Sequence, residues 1–352
     1  MNRRLCLQVL ASLPLASLAE GQGNRPRLRI GQIGTKHAHA SGKMQTIRGL
    51  SDLFDVVGVV ESDEARWTEV KNRPAYRGLK RLNEHELLAD ESVAAVVVET
   101  ALEDLVPTAL RCVQAGKHLH LDKPGGVSLP AYKELRDEAS ARNRVIQMGY
   151  MFRYNPGYLF IRRAVQAGWL GEITEINGMI GKMASPALRR ELATLEGGGM
   201  FELACHLVDA TVGILGKPEK VIAYQTPSRF SPKANDNQVA VMTYERAVAI
   251  LRCNHVDPAG FSRRRFNVVG TKGYIEWQPL EPAGLTLFLA DDVDGFAKGK
   301  QSIDLPPVSG RYVGEFEDLA KVIRGEQAFG WNTQHDLDTH EVVLKASGMS
   351  ID

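Results

Sequence analysis

The sequence predicts an α/β protein, with a doubly wound, mainly parallel sheet in its N-terminal half and an α+β unit with a mainly antiparallel sheet in its C-terminal half. Three observations predict this. A chain of 352 residues, at about 150 residues per domain, argues for two domains rather than one. From Leu28 to about Tyr150 short apolar runs alternate with segments of helical spacing, whereas later strand-like runs follow one another through short Gly, Pro or Asn turns. Finally, VVGVV and VAAVVV are apolar throughout, the pattern of strands covered by helices on both faces.

In the first half the strand runs are LRIGQIG, FDVVGVVE, VAAVVVET, KHLHLD and RVIQMGY. Between them lie SGKMQTIRGL, DEARWTEV, NEHELLAD, EDLVPTALRCVQAG and LPAYKELRDEASARN, helical in spacing, several with acidic, Ser or Asn starts. Residues 28–150 therefore form one domain and 151–352 the next. The second begins with a helix from about Asn155 to Gly168 and another from about Phe201 to Leu215. Strands EKVIAYQT, NQVAVMTYE, AVAILRCN, RRRFNVVG, GYIEWQ and LTLFLA follow, read as antiparallel from their short turns. Two helical patterns, YVGEFEDLAKVIRG and DTHEVVLKAS, close the chain, the second able to return onto either domain.

Composition excludes several classes. At 44% hydrophobic and 24% charged residues the chain can bury sizeable cores and is too apolar for disorder. Forty-three Lys and Arg against 42 Asp and Glu leave no basic excess for a nucleic-acid partner. The first 19 residues have a basic start at Arg3 and Arg4, an apolar stretch from Leu5 and small residues before Glu20, the layout of a signal peptide. That stretch falls short of the roughly 20 residues needed to span a bilayer, so no permanent anchor is expected. The expected location is periplasmic or secreted, and the arginine pair partly resembles a twin-arginine signal. Cys6 would leave with that segment. Cys112, Cys205 and Cys253 match no C-x-x-C pattern and read as small buried hydrophobes.

Three segments carry chemistry. IGQIGTKHAHASGK puts a glycine turn between the first strand and helix, where a helix N-terminus can hold a pyrophosphate. Gly34 takes the first glycine of G-x-G-x-x-G, but Lys36 and His39 stand at the other two. Glu61, at the end of the second strand, is placed to accept from a ribose diol and to repel a 2′-phosphate, favouring NAD over NADP; a solvated strand end is the bland alternative. His37 and His39 have no nearby Asp, Glu or Cys at ligand spacing, so no metal is expected. In HLHLDKPGG, Lys123 follows a strand on the edge where open α/β sheets bind ligands. In EGGGMFELACHLVD, Glu202 and His206 stand at i and i+4 on one helix face. A histidine suits removal of a hydroxyl proton during hydride transfer, a lysine can stabilise the developing alkoxide, and Glu202 can orient the imidazole or hold a second hydroxyl.

DKP after the fifth strand, GYMFRYNP and GGGMFELACHLVD together resemble the Gfo/Idh/MocA oxidoreductases, over roughly Leu28 to Ser347. The resemblance implies an N-terminal Rossmann domain and a C-terminal α+β domain with an open-faced sheet, through which copies form a homo-oligomer. It implies NAD(P)-dependent oxidation or reduction of a sugar or cyclitol. Lys123 matches the family's E/D-K-P lysine, and Glu202 and His206 its D-x-x-x-H pair. Cofactor contacts are implied for Gly34, Thr35, Lys36, Glu61, Thr100, Lys123 and Arg153. The chain departs from the family at Lys36 and His39, at Glu202 for aspartate, and in ETALED where a T-P dipeptide is usual. Two other functions compete: a lyase, hydrolase or epimerase in which bound NAD is reduced only transiently, and a non-catalytic sugar-binding protein.

Overall fold

The computed structural model describes residues 25–352. The signal segment, with Arg3, Arg4 and Cys6, lies outside the described residues. The first domain comprises β1 (Leu28–Ile33), α1 (Ala40–Gly49), β2 (Phe54–Val60), α2 (Glu64–Val70), β3 (Arg81–Leu82), α3 (Glu84–Ala89), β4 (Val93–Val98), α4 (Leu105–Gln114), β5 (His118–Leu121), α5 (Leu129–Ala141) and β6 (Ile146–Met148). Capping chemistry starts three of its helices: Asp63 and Ser128 accept from backbone N–H groups of α2 and α5, and Asn83 and Glu86 form a reciprocal box at α3. All six strands are parallel, in the order β3-β2-β1-β4-β5-β6. The connection therefore changes direction between β1 and β4, opening a crevice at their carboxyl ends. Burial of Ala95 to Val98 on both faces explains the unbroken apolar run of β4.

The second domain runs through α6 (Pro156–Gln166), β7 (Ile173–Gly181), α7 (Pro186–Thr194), a π-helical turn at Met200–Ala204, and α8 (Cys205–Leu215). It continues with β8 (Lys220–Pro227), β9 (Asn235–Thr243), β10 (Val248–Asn254), β11 (Arg265–Gly270), β12 (Gly273–Trp277), β13 (Leu285–Leu289), β14 (Gly299–Ile303), α9 (Val313–Ile323) and α10 (Thr333–Ala346). The sheet order is β14-β13-β12-β11-β7-β10-β9-β8. Neither β7 nor α7 is among the predicted elements, because Glu175, Asn177 and Gly178 interrupt the apolar pattern of β7. Yet β7 is a central strand, and it pairs with β10 in parallel, the exception in an otherwise antiparallel sheet. One sheet face packs on α8. The other is open, with Tyr224, Val248, Ile250 and Phe288 exposed.

Helix α10 packs against both α8 and α5, joining the two domains. A buried ion network lies in that seam. The Arg153 guanidinium donates to Asp209 of α8 at 2.6 Å and to Asp336 of α10 at 2.7 Å, while Arg136 of α5 lies 3.1 Å from Asp336. Tyr150 and Trp331 face the Arg153 guanidinium as well. Arg153, expected to contact cofactor, has its charge matched here by two carboxylates inside the protein. Cys112, Cys205 and Cys253 are free and buried. Among the described residues no helix is long and apolar enough to cross a membrane.

Candidate active site

Directly after β1, Gly34 adopts φ +87°, and a Cβ there would lie 2.8 Å from the Glu99 backbone, so the tight turn requires glycine. Beside it, at the β1/β4 crevice, opens a cavity of about 580 Å³ bordered by Gly34, Lys36, Glu61, Arg81, Thr100 and Arg111. A glycine turn with cations along the rim and a carboxylate at the base suits the adenosine and pyrophosphate end of a dinucleotide. Two expected contacts are altered. Thr35 is wholly buried, its hydroxyl and N–H both donating to Glu61 Oε2, at 2.7 and 3.1 Å. Glu61 Oε1 accepts from the Asp63 N–H at 3.1 Å. Glu61 is therefore first an anchor of the glycine turn, and Thr35 supports the cavity from beneath instead of lining it. Lys36 is half-exposed at the rim, 3.8 Å from Asp63.

Lys123, Glu202 and His206 come together where the domains meet. The Lys123 ammonium, on the residue two beyond β5, donates to the Glu202 carbonyl at 2.5 Å. Burial disfavours its charge, but Cys205, Glu202 and Asp122 hold its pKa above the ordinary lysine value. His206, 1% exposed, packs its ring against Phe152, Tyr150 and His39, and its Nδ1 has no hydrogen-bond partner. Burial first, and the Lys123 charge second, keep its pKa well below the usual histidine value, so it is a neutral base.

Glu202 does not orient that imidazole. It sits in the π-helical turn, whose i→i+5 bonding puts more residues in each turn and breaks the expected i, i+4 relation to His206. Its carboxylate instead meets His255 Nε2 at 3.3 Å and the Lys182 ammonium at 3.4 Å. Burial opposes ionisation there, but the His255 hydrogen bond with the Lys123 and Lys182 charges brings its pKa well below the carboxylate range. Lys182 and His255 follow Gly181 and Asn254, which are partners across the parallel β7/β10 pair. Nothing in the local sequence marks either residue. A smaller cavity of about 270 Å³ opens in the cleft, lined by Lys36, His37, Thr100, Glu103, Glu191 and Thr194.

The two turn histidines acquire partners invisible to local spacing. Asp122 Oδ2 lies 2.8 Å from His37 Nδ1, 3.2 Å from His39 Nδ1 and 2.8 Å from the Lys43 ammonium, which is also 3.1 Å from Glu99. Lys43, Glu99 and Asp122 are fully buried. Burial and the neighbouring Asp122 push Glu99 well above the carboxylate range, while His37 and Lys43 overcome burial to pull Asp122 well below it. The two buried carboxylates are thus driven apart, Asp122 towards its ionised form beside Lys43 and Glu99 towards its protonated one. Although His37, His39 and Asp122 bring ligating atoms within 4.8 Å of one another, Lys43 already supplies the cation on that carboxylate.

Comparison with known proteins matches residues 28–150 to the model of an oxidoreductase family with an NAD-binding Rossmann fold. Residues 158–276 match that of the GFO/IDH/MocA C-terminal domain. YdgJ, an uncharacterized oxidoreductase of Escherichia coli (strain K12), is 24% identical over 72% of this chain and 72% of its own. Inositol 2-dehydrogenase 2 of Saccharopolyspora erythraea is 28% identical over 57% of this chain, and the match spans only 58% of that protein. Among solved structures, UDP-N-acetylglucosamine 3-dehydrogenase GnnA from Acidithiobacillus ferrooxidans superposes with a TM-score of 0.76 at 21% identity, over 93% of this chain and 98% of that one, a likeness of fold.

Proposed function

We propose, because the chain belongs to the GFO/IDH/MocA oxidoreductase family, that it interconverts a hydroxyl and a ketone on a sugar or cyclitol. When bound, a nicotinamide dinucleotide supplies the hydride acceptor. The observation that carries the reading is a buried cationic lysine and a buried neutral histidine on one interdomain wall. His206 takes the hydroxyl proton, and Lys123 turns from the Glu202 carbonyl to hold the alkoxide. Glu202, fixed by Lys182 and His255, accepts from a second hydroxyl, which is why a polyol is the expected class. The inositol and sugar-nucleotide dehydrogenases among the similar proteins support the same class. Gly34, Lys36, Glu61 and Thr100 hold the dinucleotide, and the Glu61 carboxylate at the cavity edge favours NAD over NADP.

Mass spectrometry of small molecules released by denaturing the purified protein should find NAD or NADH. Incubation with the true sugar should then build up NADH absorbance. Nucleotide retained without NADH accumulation would instead favour the reading in which oxidation is transient and elimination or epimerisation follows. Export from the cytoplasm, proposed from the signal segment, would require such retention, since free cofactor is scarce outside.

The open sheet face is proposed as a contact between copies of this chain, its apolar side chains being Tyr224, Val248, Ile250 and Phe288. Ile250→Glu should shift the mass measured by light scattering from oligomer to monomer. A monomeric wild type would remove this proposal.

A further inference from the structure

We infer that the Asp122–His39 pair is the proton outlet of the buried site, His39 receiving from His206 the proton that each alcohol oxidation releases. This rests on the oxidoreductase reading above. The starting point is tautomers. An ionised carboxylate only accepts hydrogen bonds, and Asp122 Oδ1 meets His39 Nδ1 at 3.3 Å, so the His39 ring carries its hydrogen on Nδ1 and keeps Nε2 as the free base, while His37 Nδ1 accepts the His39 backbone N–H at 3.3 Å. Lys43, at 2.8 Å, keeps Asp122 in its ionised form.

Among the described residues no hydrogen-bond partner meets His206 Nδ1. The residue is 1% exposed, and two of its ring neighbours, Phe152 and Tyr150, are themselves buried. The third is His39, at 6.3 Å between ring centroids, a separation suited to one bridging water. The His39 side chain is 15% exposed, which provides the onward step to solvent.

Oxidation breaks a C–H and an O–H bond: hydride leaves with its electron pair for the oxidised cofactor, and the hydroxyl proton goes to His206. His206 passes it to His39 Nε2, and His39 releases it to water, so both imidazoles end neutral. Facing His39 are Asp122 and Lys123 beyond β5, His37 of its own turn, His206 of α8 and Tyr312 ahead of α9, with Lys43 of α1 behind Asp122 and Glu99 beyond β4 behind Lys43. Burial keeps His39 neutral, its pKa down at about 3, so it hands the proton on instead of storing it.

The test uses the full chain saturated with NAD. Nitrogen-15 NMR of the imidazoles at pH 7 should show His39 protonated at Nδ1. With myo-inositol and D-glucose as probes, His39→Gln should slow nucleotide reduction at least tenfold and enlarge the D2O isotope effect. Added imidazole should restore the rate of His39→Ala, and nucleotide affinity should stay unchanged in both variants. An Nδ1-unprotonated His39, an unaltered rate and isotope effect in His39→Gln, or a stoichiometric divalent metal on these residues would overturn the inference. Should wild type reduce no nucleotide with any sugar or cyclitol, the oxidoreductase reading itself fails, and the outlet falls with it. The two failures are told apart by whether wild type turns over.

Discussion

His206→Ala is expected to lower turnover about 10²- to 10⁴-fold, the usual loss when a general base is removed. The effect should fall on the proton-transfer step, because the ring is buried against Phe152 and Tyr150 with no hydrogen bond that a structural role would require. Nucleotide affinity should be unchanged, since the dinucleotide cavity is bordered by Gly34, Lys36, Glu61 and Thr100. Lys123→Met should cost about 10²- to 10³-fold through loss of alkoxide stabilisation. The pH profile has a definite sign. His206 stays neutral until pH falls well below 6.5, and Lys123 stays charged to above its ordinary value of 10.5, so neither titration should bound activity between those limits. Single-turnover measurement of bound-nucleotide reduction across that range is the check. Undiminished turnover of His206→Ala on the true substrate would sink the assignment.

Arg153→Met is expected to destabilise the fold by about 3–5 kcal/mol, because it leaves Asp209 and Asp336 as buried carboxylates short of a cation. For a chain of this size that corresponds to a fall in melting temperature on the order of 10 °C. Asp209→Leu in the same chain should restore part of the loss, since replacing both partners by apolar groups removes the unpaired charge. Burial opposes ionisation of Asp209, and Arg153 overcomes it, so its pKa lies below the ordinary carboxylate value. The pair's contribution is therefore present above the unfolded-state value of about 3.9 and is lost as pH falls through the folded one. Thermal melts at pH 7 and pH 3 should show the variant and wild type converging at the acid end. If folded Arg153→Met lost nucleotide affinity while melting like wild type, Arg153 would belong to the cofactor after all.

Much of this molecule is legible in local sequence. Unbroken apolar runs specify buried parallel strands such as β4, and Asp63, Asn83 and Ser128 mark helix starts, because periodicity and capping act within a few residues. Gly34 and Lys123 stand out for the same reason, each at the end of a recognisable strand. Side-chain partnership is another matter. Glu202 meets His255 and Lys182 only because β7 and β10 pair in parallel, and β7 itself is hidden by the Asn, Glu and Gly that interrupt its alternation. The π-helical turn undoes the i, i+4 geometry that linked Glu202 to His206 on paper. Arg153 finds its carboxylates 56 and 183 residues away, and His39 finds Asp122 83 residues away. Such contacts form when helices and sheets from distant parts of the chain pack together, and burial then makes every charge seek a partner wherever the packing has brought one.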